Sequence, residues 1–182
     1  DDLVLQNVRV AASSLVEIPS YSTGFKLNGW LLLIPATYLG IAQAARDYAV
    51  KFATEHSPNS IQGTIADLPN VQTLIGEMDL ALTNARFTIY GVAELYKDPT
   101  KKSTIINEVN IAKHVVTNMA IEVVDKAMRL VGAKSLQRSN PLQRYYRDVR
   151  AGLHNPPMDD ITIKRLAETA IQNQLKKKEV IV

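Results

Sequence analysis

Two long apolar stripes dominate the hydrophobic pattern. Val71, Ile75, Met78, Leu82, Ala85, Ile89, Val92 and Tyr96 alternate steps of four and three, the spacing that keeps side chains on one face of an α-helix. Ile105, Val109, Ala112, Val116, Met119, Val123, Ala127 and Leu130 continue the same spacing. Pro69 suits an early position of the first of these helices, where a backbone N–H has no partner anyway, and Lys97-Asp98-Pro99 ends it. Ser103 is placed to cap the second and Gly132 to stop it. So short a connection makes the two an antiparallel pair.

Upstream, Leu31, Tyr38, Ile41, Ala45, Tyr48 and Phe52 predict a helix from about Gly29 to Phe52, with a kink or late start at Pro35. His56-Ser57-Pro58-Asn59-Ser60 breaks the pattern and opens a loop to Asp67. Beyond Gly132, Asn140-Pro141 starts a short helix through about Gly152, and Asn155-Pro156-Pro157 separates it from a last helix over about Met158 to Gln174. Leu3 to Val10 is short, rich in β-branched residues and bounded by Asp and Ser, so it reads as one strand whose sheet the chain does not contain. The expected fold is all-α: an up-down four-helix bundle with a short orphan N-terminal strand and an extra C-terminal helix.

Composition narrows the picture. In 182 residues, 46% are hydrophobic and 21% charged, enough apolar surface for one domain with a real core. The net charge of +3 owes much to Lys176-Lys177-Lys178, read as a solvated helix end, so nucleic acid is not an expected partner. With no cysteine there are no disulfides or thiolate metal sites, and His56, His114 and His154 lack metal-ligand spacing, so no metal is expected. No apolar run is long enough to span a membrane and Asp1-Asp2 is no signal-peptide start, which predicts a soluble, cytoplasmic chain. The chain opens without Met and in mid-pattern, as an excised piece would.

Ala127-Met128-Arg129-Leu130-Val131-Gly132-Ala133, followed by Pro141-Leu142-Gln143-Arg144-Tyr145-Tyr146-Arg147-Asp148-Val149-Arg150, resembles the end of the acyl-CoA dehydrogenase C-terminal domain, where a Gly-rich turn, a Pro and an Arg-Asp pair recur in this order. Ala112-Lys113 matches an Ala-Lys pair of that family's third bundle helix, and Val4 to Val10 looks like its last β-domain strand. The resemblance implies that residues 1–20 are the end of a preceding β-domain plus linker, and 21–182 the helical bundle. It implies a flavin-dependent oxidoreductase using FAD, with FMN left open, and an acyl-CoA or other small-molecule substrate. The remaining implied partners are the protein's own N-terminal domains and further copies of itself, in a homo-oligomer.

Departures from the family matter as much. Thr54-Glu55-His56-Ser57-Pro58 stands where family members commonly carry a flavin-contacting Arg before a Phe-Gly pair. Pro69 and Arg129 replace flavin-contacting glutamines. The catalytic glutamate that follows the Arg-Asp pair in many members falls close to Pro156, and the alternative glutamate position in the first bundle helix holds Trp30. Neither can act as a base.

His154 stands beside that gap. An imidazole, with an ordinary pKa of about 6.5, exchanges protons at neutral pH and is a competent substitute for the glutamate. The alternative is a loop histidine that merely satisfies the turn before Pro156-Pro157. A His after Arg-Asp also resembles the related two-component flavin monooxygenases, which use reduced flavin and oxygen.

Arg129, Gly132 and Arg147 are the candidate cofactor-binding residues, against blander roles as a surface cation, a helix stop and an ion-pair partner of Asp148. Arg144 and Arg150, three residues to either side of Arg147, add guanidiniums along the helix that a phosphate would favour. Tyr145 and Tyr146 are read as packing residues, His114 as solvated or interfacial, and His56 as exposed. Three functions stay open: an acyl-CoA dehydrogenase-type enzyme, a reduced-flavin monooxygenase, and a non-catalytic helical interaction module. A pocket built between domains predicts that this piece alone is inactive.

Overall fold

The computed structural model describes residues 2–15, 29–102 and 104–179. Their architecture is all-α, with α1 over Trp30–Glu55, α2 over Pro69–Lys97, α3 over Ile106–Val131, α4 over Pro141–Arg150 and α5 over Asp159–Glu179. Short 3-10 turns follow α3 at Gly132–Leu136 and α4 at Ala151–Leu153. No helix among the described residues is long and apolar enough to cross a membrane.

The first three helices run up, down and up. Leu31 at the start of α1 packs with Val92 near the end of α2 and with Ile105, Val109 and Ala112 around the start of α3. Farther along, the Arg46 guanidinium donates to Asp79 at 2.6 Å, tying α1 to α2. Lys126 Nζ lies 2.9 Å from Glu77, tying α3 to α2. The predicted stripe of α2 is the buried one: Val71, Met78, Leu82, Ala85, Ile89 and Val92 all face the core. That of α3 is buried almost throughout as well.

In α1 the buried line matches the expected one at Leu31, Tyr38 and Ala45 and departs from it at the other positions. Ala42, Ala45, Ala49 and Ala53 are fully buried, whereas Ile41, Tyr48 and Phe52 are only half-buried on their flank. Alanines at the seam let two helix backbones approach closely, and the large side chains then close over its edges. Pro35 neither delays nor ends the helix, which begins at Trp30 and runs on with Pro35 buried inside it. The proline removes only one backbone hydrogen bond near the helix start.

The expected strand at Leu3 to Val10 is not formed. Leu3, Val4, Leu5, Val8 and Val10 are all exposed, and the segment makes no ladder. A strand is held by a neighbouring strand, and the described residues contain none. Ser103 lies outside the described residues, and Ile105 occupies the N-cap of α3 without a side-chain cap.

α4 lies against α3 and α1 and completes the bundle, while α5, the extra C-terminal helix, packs on α3. Asn140 caps α4, its side chain accepting from the Leu142 N–H at 3.0 Å, as the Asn-Pro pair predicted. Thr162 is the fully buried member of α5, whereas Ile161, Ile163, Ile171 and Leu175 stay exposed.

Candidate functional site

Residues near the end of α3, its following turn and α4 enclose an open groove of about 680 Å³. Arg129, Gly132 and Arg147 all line it, so the structure brings the three candidate cofactor-binding residues together. Arg138, which the sequence did not single out, joins them. Gly132 has φ 68° and ψ −150°, a combination open essentially to glycine alone, and it ends α3 by turning the chain into the groove wall. A Cβ there would meet nothing within 4 Å, so the backbone of the turn is open to an incoming group.

The lining is basic with one compensating acid. Arg129 donates to Asp125 at 2.6 Å, both exposed to solvent. Arg147 bonds the Gln143 side chain, which in turn donates to the Arg138 carbonyl at 3.3 Å. The expected Arg147–Asp148 ion pair is not formed; the Arg147 guanidinium is turned to Gln143 instead. Arg138 and Arg147 have no carboxylate partner among the described residues. Arg144 and Arg150 are spent elsewhere: Arg144 stacks over Tyr145 at 5.5 Å, and Arg150 stacks over Tyr146 at 4.7 Å while donating to its hydroxyl at 2.7 Å. Both tyrosines pack on the core, as expected, and Tyr146 also lines the groove.

His154 is not in the groove. It follows the 3-10 turn after α4, exposed, with its N–H donating to the Ala151 carbonyl at 3.0 Å. The segment carrying it is anchored from below. Gly152 is buried with the Tyr38 ring and Thr117 against it, and the Tyr38 hydroxyl donates to Asn155 Oδ1 at 2.6 Å. Burial pushes the Tyr38 hydroxyl above the ordinary phenol range, which keeps it a donor.

Beneath that segment runs a polar seam which the sequence reading missed. Asn110, Lys113 and Thr117, at three- and four-residue steps on α3, are all essentially buried. Thr117 lies against Gly152, and Lys113 meets the first turn of α5, where Asp159 lies 3.7 Å from Lys113 Nζ, 3.0 Å from His114 Nδ1 and 2.8 Å from Asn118 Nδ2. Burial holds the Lys113 ammonium below its usual range, partly opposed by Asp159. Burial also pulls Asp159 upward, but hydrogen bonds from Asn118 and His114 and the nearby positive charges outweigh it, leaving the carboxyl below the ordinary value. The signal was present as a polar stripe at helical spacing beside the apolar one. His114 thus sits at the contact of α3 with α5, the interfacial alternative, and His56 is half-buried and stacked on Phe52 at 4.7 Å rather than exposed. Among the described residues no three His, Cys, Asp or Glu side chains converge to hold a metal.

The alanine-seamed helical bundle, with its Gly-ended third helix and short fourth helix framing a basic groove, has clear likenesses among known proteins. The family described as acyl-CoA dehydrogenase, C-terminal domain, matches residues 26–153, and the chain belongs to that family. It is 59% identical over 172 residues to a putative acyl-CoA dehydrogenase of Bacillus subtilis, covering 94% of this chain and 45% of that protein. It is also 37% identical over 120 residues to L-evernosamine nitrososynthase of Micromonospora, covering 63% of this chain and 28% of that one. The crystal structure of an acyl-CoA dehydrogenase from Slackia heliotrinireducens superposes with a TM-score of 0.70 at 29% identity, over 81% of this chain and 37% of the other. The chain therefore spans less than half the length of these relatives.

Proposed function

We propose that this chain is the C-terminal domain of an FAD-dependent enzyme that introduces an α,β double bond into an acyl-CoA thioester. The observation that carries the cofactor assignment is the convergence of Arg129, Gly132, Arg138 and Arg147 on one groove. Its donor set fits a dinucleotide: two guanidiniums without a carboxylate partner suit a diphosphate, and the open Gly132 turn admits it close to the backbone. Arg129 contributes less, because Asp125 already neutralises it. Bound there, FAD would supply the two-electron acceptor for hydride loss from the β-carbon.

What this chain's own residues do is narrower. Arg138 and Arg147 hold the anionic part of the cofactor, Met128, Ala133 and Leu136 cover its apolar surface, and Gln143 fixes Arg147 in the groove wall. His154, exposed on a braced segment where family members have their glutamate, accepts the α-proton. Residues 1–20 belong to the end of a preceding β-domain. That domain and an N-terminal helical domain complete the pocket, and the bundle pairs with further copies of itself in a cytoplasmic homo-oligomer. The isolated piece is inactive, because the pocket is shared.

A second reading, a reduced-flavin monooxygenase, is favoured by the same His154 in place of a glutamate and by the likeness to the Micromonospora nitrososynthase. Anaerobic titration of the full-length flavoprotein with acyl-CoA thioesters separates the two. Bleaching of the visible flavin band by a saturated thioester establishes the dehydrogenase. A flavin that no thioester reduces, but whose reduced form with oxygen hydroxylates an amine or aromatic substrate, establishes the monooxygenase. A colourless full-length protein sinks the dehydrogenase, and whether added reduced flavin and oxygen then support hydroxylation separates the two-component monooxygenase from a silent scaffold.

A further inference from the structure

One buried side chain braces the histidine segment from both sides. Gly152, two residues before His154, sits so tightly on Tyr38 that a Cβ would come within 3.1 Å of the ring. Asn155, the residue after His154, accepts the Tyr38 hydroxyl at 2.6 Å. Tyr38 itself is 9% exposed and fixed in the core line of α1, so it cannot follow the segment if the segment moves. Thr117 also packs on Gly152, but among the described residues no other side chain is seen to hold both flanks of His154. Asp159, four residues beyond Asn155, fixes only the downstream end, at the seam with Lys113.

We propose that Tyr38 is the positioning residue for His154: its ring seats Gly152, its hydroxyl holds Asn155, and together they aim the intervening imidazole. The inference rests on the reading of His154 as the proton acceptor. A proton acceptor on an exposed turn depends on its backbone for aim, and small displacements of such a group reduce the chemical step far more than binding. Tyr38→Phe keeps the ring that seats Gly152 and removes only the tether to Asn155. Asn155→Leu removes the same bond from the other end.

The test is steady-state kinetics of the full-length flavoprotein with butyryl-CoA and octanoyl-CoA. Tyr38→Phe is expected to lower kcat about tenfold with KM within about twofold of wild type. Asn155→Leu should do the same, and the double variant should be no worse than either single one, because all three lack one shared bond. His154→Ala should lose at least about a hundredfold in kcat. Tyr38→Phe and Asn155→Leu at wild-type kcat beside an inactive His154→Ala would overturn the tether while leaving the proton acceptor in place. His154→Ala at wild-type kcat, or no turnover of either thioester by the wild type, would overturn the proton-acceptor reading and the tether with it. If Tyr38→Phe lowers the melting temperature, Asn155→Leu, on the half-buried loop, carries the decision alone.

Discussion

The ammonium of Lys113 is 1% exposed and its nearest carboxylate oxygen, on Asp159, stands 3.7 Å away, beyond hydrogen-bond distance. α5 meets the bundle through this contact, through Thr162 and half-buried Leu166, and through an Asn107–Thr169 hydrogen bond at 3.2 Å, while Ile161, Ile163, Ile171 and Leu175 stay exposed. The seam is therefore a charge placed where the fold tolerates it poorly, with Asp159 as its compensation. Asp159→Asn should cost about 2 kcal/mol, less than the roughly 3–5 kcal/mol of a fully enclosed pair because the carboxylate is 28% exposed. Lys113→Met, which removes the desolvated charge altogether, should be neutral or stabilising. Urea unfolding of both variants checks this, and a neutral Asp159→Asn would show that the pair does not hold α5.

The same pair fixes a pH dependence at both extremes. Asp159 has its pKa depressed in the fold, so it contributes stability above its unfolded value, near 3.8, that is lost as pH falls through the lower folded one. Lys113 is depressed too, which for a base works against the fold while it is charged. Its penalty is full below the folded pKa and is relieved as pH rises toward the unfolded 10.5. Stability measured against pH should thus show an alkaline gain in the wild type that is missing in Lys113→Met. An identical alkaline limb in both would assign that gain to other groups.

Asn140 ties the start of α4 to α1 as well as capping α4. Its Oδ1 accepts from the Leu142 N–H and its Nδ2 donates to the Tyr48 hydroxyl at 3.0 Å, with the residue 6% exposed. Asn140→Ala should lose about 1–2 kcal/mol, against roughly half that for Asn140→Asp, which keeps the cap acceptor but not the donor to Tyr48. Thermal unfolding of the two variants decides: equal losses would mean that the cap contributes nothing, and an unchanged Asn140→Asp would mean that the Asn140 donor to Tyr48 contributes nothing.

How far the sequence carried the reading differs by element, for physical reasons. α2 and α3 were legible because their large apolar residues are the buried ones, so periodicity and burial coincide. In α1 they do not: the buried line is Ala42, Ala45, Ala49 and Ala53, and a search for bulky residues lands one position away on Ile41, Tyr48 and Phe52. The strand at Leu3 to Val10 failed because strand propensity says nothing about the presence of a partner strand. In the site, Gly132 and Asn140-Pro141 were readable as local turn chemistry. Arg138 was not, since its place in the groove depends on how the chain folds back after α3. Lys113 was passed over because a lone lysine on a helix is ordinarily solvated, and only packing against α5 reveals its burial.

Gly132 should tolerate no side chain, although there is room for one. Its φ of 68° with ψ of −150° lies where residues with a Cβ are strained, so Gly132→Ala should cost roughly 1–3 kcal/mol despite the empty space around the new methyl. Urea unfolding measures this, and a loss below about 0.5 kcal/mol would mean that the turn relaxes to a conformation alanine accepts.

The groove assignment makes a discriminating prediction among four arginines of similar sequence context. Arg138 and Arg147 line the groove without a carboxylate partner, Arg129 lines it already neutralised by Asp125, and Arg144 lies outside it over Tyr145. A charge-assisted bond to a diphosphate contributes about 1.5–3 kcal/mol, so Arg138→Gln and Arg147→Gln should each weaken FAD binding to the full-length apoprotein about tenfold or more. Arg129→Gln should weaken it less, because its guanidinium is already half-spent on Asp125, and Arg144→Gln should leave it unchanged. Titration by quenching of flavin fluorescence reads all four. If Arg144→Gln weakens binding as much as Arg147→Gln, the response reflects general surface charge and the groove is not the cofactor's seat.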